Sequence, residues 1–209
     1  MEKKSQSNYD SQVDVGRRIF LEYDQERLIH KFQLDADEQY IYLTYMNTPC
    51  RISRESGQID DLRNGIWTEC RSYSTVMTIY DLLCYHQGPN APVLFHQWCT
   101  VGTFIVTGVT NTTGFTRKYA ALFDGHMEEL RAACEGLGGI PEMGKPRADV
   151  AFRIPVTPFF PVLLQFWEGD EEFPPNTQIL FSDNFPKAFS AEDRTVVGDL
   201  FISDIKRRM

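Results

Sequence analysis

Acidic side chains are concentrated in one short segment, residues 167–175, which reads WEGDEEFPP. Glu168 and Asp170 follow an apolar stretch, and Asp183 lies beyond the next strand-like stretch. Carboxylates spaced in this way can bind a hard divalent cation or form a general acid/base pair. We favour the alternative, a turn whose carboxylates face water while Phe173 packs beneath it, because the segment lacks the spacing of a calcium loop. The candidate ligand-binding residues are Trp167, Glu168, Asp170, Glu172 and Asp183.

Two cysteines and two histidines form a second candidate site, with Cys84 and His86 in the pattern C-x-H and His96 and Cys99 in the pattern H-x-x-C. Zinc sites use these residue types. Residues two apart on a helix point in different directions, so Cys84 and His86 converge only if a helix ends between them. We therefore place Cys84 on the apolar face of a helix and predict no metal site.

The segment GIPEMGKP, residues 139–146, matches part of a phosphate-binding loop, G-x-x-x-x-G-K. It has Pro146 where such a loop has the Ser or Thr that binds magnesium, and it follows a predicted helix rather than a strand. Pro141 and Pro146 also lack the amide donors that would bind phosphate. We interpret the segment as a helix C-terminus and a loop.

Aromatic residues are frequent in two strand-like stretches, residues 40–45 and 159–167, where they can line a cofactor pocket or pack in the core. No nucleophile and base can be paired from the sequence. We expect a non-catalytic domain that binds a small molecule, a cofactor of unassigned identity or a protein partner. The first alternative is a divalent-cation-dependent enzyme that uses Glu168 and Asp170. The second is an interaction module that offers its acidic surface to a basic partner.

The charge balance excludes some classes of protein. The 209 residues carry 21 basic and 29 acidic side chains, a net charge of −8, which argues against binding to nucleic acid. Residues 168–204 are the most acidic part of the chain, with nine acidic and two basic side chains. The polar N-terminal segment MEKKSQSNYD is unlike a secretion signal, and no apolar stretch is long enough to cross a membrane. Five cysteines without a C-x-x-C pair fit reduced thiols, so we expect a cytoplasmic protein.

The periodicity of apolar residues predicts the elements that position these candidates. Helical spacing is present at residues 12–32, 76–84, 116–137 and 190–205, the last opened by the capping box of Ser190 and Asp193. Alternation predicts a hairpin from residues 39–46 and 50–54 and a meander from residues 150–154, 162–167 and 177–181, with irregular strand at 93–109. The nearly all-apolar stretch 162–167 is typical of a central strand. We predict an α+β fold: a flexible tail over residues 1–10 and a single domain over residues 11–209, with a mostly antiparallel sheet packed by about four helices.

Several stretches after Thr75 resemble a known family. They are VMTIYDLLCYHQGPNAP, ALFDGHMEELRAACEGLGG, the long segment that contains WEGDEEFPP and LFSDN, and SAEDRTVVGDLFI. Over residues 75–202 the chain is similar to an uncharacterised bacterial and archaeal family, domain-of-unknown-function family 3786. The resemblance implies no particular reaction. Some relatives have an added cysteine-rich iron–sulfur segment, which implies work near anaerobic redox or corrinoid metabolism, and the sequence lacks that segment. The carboxylates of the acidic segment fall inside the matching region.

Overall fold

The computed structural model describes residues 8–85, 95–100, 102, 119–142, 147–189 and 191–209. The helices are α1 Asn8–Glu22, α2 Gln25–Phe32, α3 Tyr73–Tyr85, α4 Ala120–Phe123, α5 Met127–Gly136 and α6 Ala191–Arg208, with a 3₁₀ turn at Phe185–Lys187. The strands are β1 Asp35–Ala36, β2 Tyr40–Tyr45, β3 Thr48–Ser53, β4 Ile59–Arg63, β5 Ile66–Glu69, β6 Trp98–Cys99, β7 Ile140–Pro141, β8 Val150–Thr157, β9 Phe160–Trp167 and β10 Asn176–Ser182. None of the described helices is long and apolar enough to cross a bilayer.

The described strands form two antiparallel sheets, in the orders β1-β2-β3-β4-β5 and β6-β10-β9-β8-β7. The predicted α+β class is therefore confirmed. The chain folds into two compact units, Met1–Pro92 with Lys187–Phe189 and Val93–Pro186 with Ser190–Met209, and each unit contains one of the sheets. The division into a tail over residues 1–10 and a domain over residues 11–209 stays a prediction.

Two tight hairpins determine the register of the first sheet. Met46 and Asn47 join β2 to β3 with φ of 46° and 56°, and this two-residue turn pairs Tyr45 with Thr48. The predicted hairpin is thus confirmed, with its turn one residue earlier than expected. Asn64 and Gly65 join β4 to β5 with φ of 51° and 78°. Asn-Gly is the strongest sequence signal for such a turn, yet we predicted neither of these two strands from the sequence.

In the first unit, helices α1 and α3 pack together at Gly16, which has no side chain. A Cβ atom on Gly16 would lie 2.8 Å from the ring of Tyr80. That ring is buried, and its hydroxyl donates a 2.7 Å hydrogen bond to the carbonyl oxygen of Gly57. Gly16 weakens α1 as a helix, and in return it lets the two helices approach closely.

The second sheet has β9 at its centre, as its apolar sequence predicts. All but the last of its eight residues are buried. Val162, Leu164 and Phe166 form one face of β9, and the ring of Phe123 on α4 packs edge-on against Phe166 with centroids 5.8 Å apart. Helix α5 packs on β8, and α6 packs on α5. One face of the sheet is therefore covered by helices.

Two of the predicted helices are each interrupted, which explains why four predicted helices correspond to six helices among the described residues. The first ends at Glu22, and Asp24 begins α2 by accepting a 3.1 Å hydrogen bond from the amide of Arg27. The other is broken between α4 and α5 at Gly125, whose φ is 75°. The predicted cap Ser190, the helix start at Thr116 and most of the strand predicted at 93–109 lie outside the described residues; within that stretch, β6 is described at Trp98–Cys99.

Candidate functional site

The acidic segment forms a closed turn in which the Asp170 carboxylate binds backbone amides. One carboxylate oxygen of Asp170 accepts hydrogen bonds from the amides of Glu172 (2.8 Å) and Phe173 (2.7 Å). The amide of Asp170 donates to the carbonyl oxygen of Phe173 at 2.9 Å. Asp170 and Glu172 are exposed, as the solvated-turn interpretation expects. The side chain of Phe173 is 66% exposed, so the expectation that it packs beneath the turn is wrong.

The carboxylate of Glu168 takes part in a second set of amide contacts at the end of β9. It accepts a 3.2 Å hydrogen bond from the amide of Gly125. The amide of Glu168 donates to a carboxylate oxygen of Asp149 at 2.9 Å, and that of Gly169 donates to Asp124 at 3.0 Å. Three carboxylates therefore tie the end of β9 to the start of β8 and to the α4–α5 connection. This is a structural use of negative charge, because each carboxylate satisfies a backbone amide at the end of β9 or in the α4–α5 connection.

Asp183 lies at the opposite end of the meander from Glu168 and Asp170. Strand β10 runs antiparallel to β9, with Asn176 beside Trp167, so the strand separates Asp183 from the acidic turn by roughly 20 Å. Asp183 instead accepts a 3.0 Å hydrogen bond from the amide of His96. The structure does not bring these three carboxylates together. Among the residues that it describes, no group of three His, Cys, Asp or Glu side chains could hold a metal ion.

Two sequence candidates remain, the group of Cys84, His86, His96 and Cys99 and the phosphate-loop match. His86 lies outside the described residues, so the convergence of Cys84, His86, His96 and Cys99 stays untested. Burial raises the pKa of Cys84 to about 12, so this thiol is neutral at pH 7. The phosphate-loop match begins after the C-terminus of α5, as our interpretation expects, and the amide of Gly139 donates to the carbonyl oxygen of Cys134 at 2.9 Å. Ile140 and Pro141 then form the edge strand β7 rather than a loop, and residues 143–146 lie outside the described residues.

The aromatic strand β2 stacks on an arginine. The guanidinium of Arg51 lies 4.0 Å from the ring centroid of Tyr40 and 4.7 Å from that of Trp67. Its Nε donates to Asp60 at 2.9 Å. Cation–π stacking and an ion pair therefore occupy the space between the rings, and this strand contributes packing on the outer face of the first sheet.

The second sheet curls toward the face that is turned away from α4 and α5. Trp98 on β6 and Glu142 directly after β7 belong to opposite edges of the five strands, which in a flat sheet would lie about 19 Å apart. Yet the indole Nε1 of Trp98 donates a 3.0 Å hydrogen bond to Glu142. The other carboxylate oxygen of Glu142 lies 3.6 Å from Nε of Arg153. The two edges can meet in this way only if the sheet is concave on this face.

A buried amide lies on the concave face, at the middle of the sheet. Strand alternation puts Leu163, Gln165 and Trp167 on this face, and the register places Arg153 beside Leu163. Gln165 is 1% exposed, and its Nε2 has no hydrogen-bond partner among the described residues. Nearly all buried polar groups in proteins are hydrogen-bonded, so an orphaned amide in the central strand requires an explanation. A bound molecule can supply the missing acceptor only by opening a path to this side chain, since the atom is closed to solvent.

The sequence carried a signal for this site that we did not use. Gln165 is the one polar residue in the apolar stretch 160–167. An amide in a strand buried on both faces must find a partner or remain unsatisfied. Of the candidate residues, Trp167 alone lies on this face, and its indole Nε1 donates a 3.0 Å hydrogen bond to the carbonyl oxygen of Arg147.

These features define a class: an α+β protein with two antiparallel sheets, one of which curls around a buried amide. The sequence profile of the family described as Domain of unknown function (DUF3786) matches residues 24–204, and the chain belongs to that family. The match includes the first sheet, which the resemblance over residues 75–202 left out. No curated protein and no solved structure matches the chain.

Proposed function

We propose that the protein is a non-catalytic binding protein that holds a small organic molecule on the concave face of the second sheet. The observation that carries the proposal is the buried Nε2 of Gln165, which has no hydrogen-bond partner in the part of the chain that the structure describes. This nitrogen is a hydrogen-bond donor. The expected ligand therefore has a carbonyl or carboxylate oxygen that can accept from it.

The surroundings of Gln165 add to this ligand chemistry. Leu163 provides buried apolar surface, and the half-exposed indole of Trp98 provides a flat ring. Arg153 is a second donor, held by Glu142. A ligand with one oxygen acceptor and a flat apolar body matches this combination.

The contacts of the ionisable groups on this face favour binding over catalysis. Glu142 is engaged by both Trp98 and Arg153. Both of its carboxylate oxygens are therefore occupied by protein donors, and neither is free to take part in a reaction. The carboxylates of Glu168 and Asp170 likewise accept hydrogen bonds from backbone amides, which weighs against the alternative of a cation-dependent enzyme.

The test compares native and denaturing mass spectra of the purified protein, followed by a thermal-shift screen of carboxylic acids, amides and nucleotide cofactors. We expect a retained mass or a compound that raises the melting temperature, and we expect Gln165→Met to abolish it. Gln178→Met is the matched control, since Gln178 pairs with Gln165 on β10 and is only half-buried. No retained mass and no thermal shift, or equal binding by the Gln165→Met variant, would overturn the proposal.

We also propose that the protein works in the cytoplasm and does not bind nucleic acid. All five cysteines are free, which is typical of a reducing compartment. The net charge of −8 repels phosphate backbones. Cell fractionation and a gel-shift assay at low salt test these two points.

A further inference from the structure

A cleft of about 410 Å³ lies in the first unit, beside the first half of α1. Its other walls come from the end of β5 and the start of α3. Small-molecule sites commonly have volumes of roughly 300–1,000 Å³. The cleft is separate from the concave face, and its interpretation does not depend on the function proposed above.

The floor of the cleft is apolar. Ile59 and Val76 are 2% and 5% exposed, and Cys70 is buried beside them. Burial raises the pKa of the Cys70 thiol, so it is neutral at pH 7 and adds apolar surface. Tyr9 and Tyr73 line the cleft with ring centroids 4.8 Å apart. The floor and this wall suit an aliphatic or aromatic group.

Charged groups of both signs line the same cleft. Arg17 is partly buried; its Nη1 lies 3.5 Å from Asp14, and its Nε is buried without a hydrogen-bond partner among the described residues. Because Nε is closed to solvent, the guanidinium meets a ligand carboxylate through its Nη atoms, in competition with Asp14. Arg71 adds a second cation, and Asp10 and Glu69 add two further, exposed carboxylates to the lining. The lining therefore offers partners for an anionic group and for a cationic group of one small molecule.

We propose that this cleft binds a small zwitterion, an amine and a carboxylate on an apolar body, such as an α-amino acid with an aromatic or aliphatic side chain. Arg17 and Arg71 bind the carboxylate, and Glu69 binds the ammonium group. The apolar body lies on Ile59 and Val76.

The test uses L-phenylalanine as the probe, with 3-phenylpropionate and phenethylamine as analogues that each lack one charged group. We expect titration calorimetry to give phenylalanine an affinity at least about tenfold above either analogue, since each lost contact with a charged partner costs about that factor. Absence of phenylalanine binding, or an analogue that binds equally well, would overturn the proposal.

Variants assign the contacts. Arg17→Gln should weaken phenylalanine binding by about tenfold or more and leave phenethylamine binding unchanged. Arg18→Gln, one residue along α1 and exposed, is the control and should leave both unchanged. Tyr9→Ser, at a side chain 64% exposed, should weaken binding without changing the melting temperature. It remains informative if Arg17→Gln fails to fold. Unchanged affinity in Arg17→Gln or in Tyr9→Ser contradicts the assignment, and Gln165→Met should leave phenylalanine binding intact.

Discussion

Replacing Gln165 by methionine should stabilise the ligand-free protein. The side chain is 1% exposed, and its Nε2 has no partner among the described residues. A buried polar group without a partner costs about 1–3 kcal/mol of folding free energy. Methionine has a similar length and no such group, so most of that cost should be recovered.

The size of the effect follows from these numbers. For a chain of this length, 1 kcal/mol corresponds to about 2–4 °C in melting temperature, so Gln165→Met should melt roughly 2–12 °C higher. Urea unfolding should give a higher midpoint with an unchanged slope, because the surface exposed on unfolding is nearly the same. The protein should first be refolded from guanidinium, which leaves any bound ligand behind.

The opposite sign would refute the reasoning. If Gln165→Met loses more than about 1 kcal/mol while the control Gln178→Met stays within about 0.5 kcal/mol, the amide is hydrogen-bonded in the folded protein. The proposed ligand contact would then lose its basis. The expected result is a Gln165→Met variant that is more stable than wild type and no longer retains the ligand.

Three further predictions concern the glycines, one carboxylate and the thiols. Gly16→Ala should lower the free energy of unfolding in urea by about 1–3 kcal/mol, because the added Cβ would meet the fixed ring of Tyr80. In the control Gly136→Ala, the added Cβ meets only the flexible end of Arg208, so the stability should stay the same or rise. Hydrogen bonds from the Tyr42 hydroxyl and the amides of Tyr40 and Gln39 lower the pKa of Asp37. The stability that this carboxylate contributes is therefore present above the unfolded-state pKa and is lost as the pH falls through the lower folded-state value. Between pH 5 and pH 3 the Asp37→Asn variant should lose less unfolding free energy than wild type, and an equal loss would contradict this. Burial raises the pKa values of Cys50, Cys84 and Cys134 to about 12, so iodoacetamide at pH 8 should label them only after denaturation, as read by mass spectrometry of the peptides.

The sequence predicted the elements whose periodicity is strong. Strands β8, β9 and β10 follow from alternation and from one apolar run, since burial on one or both faces imposes those patterns directly. The breaks at Asp24 and Gly125 were missed, because a short interruption hardly changes helical spacing on either side. The hairpin at Asn64 was missed although its turn signal is strong, because Asp60 and Asp61 within β4 break the apolar pattern.

The site could be predicted less well than the fold. The meander that we predicted already puts Asp183 at the far end from Glu168, because antiparallel strands joined by a turn carry their outer ends away from it. The amide bonds of Glu168 depend on Gly125, 43 residues away along the chain, which no local pattern indicates. Gln165 was visible as a single polar residue, but its importance depends on the curvature of the sheet. The curvature is inferred from a contact between Trp98 and Glu142, which lie 44 residues apart along the chain.

The same contact bears on whether another chain can pair with the second sheet. Exposed edge strands offer unpaired amides and carbonyls on which another chain can form a further strand. In the second sheet, both edge strands are two residues long as far as they are described, and Trp98 and Glu142 draw them toward each other. A neighbouring molecule therefore meets two short, inward-curling edges. Loss of the Trp98 indole should flatten the sheet and expose a template for aggregation.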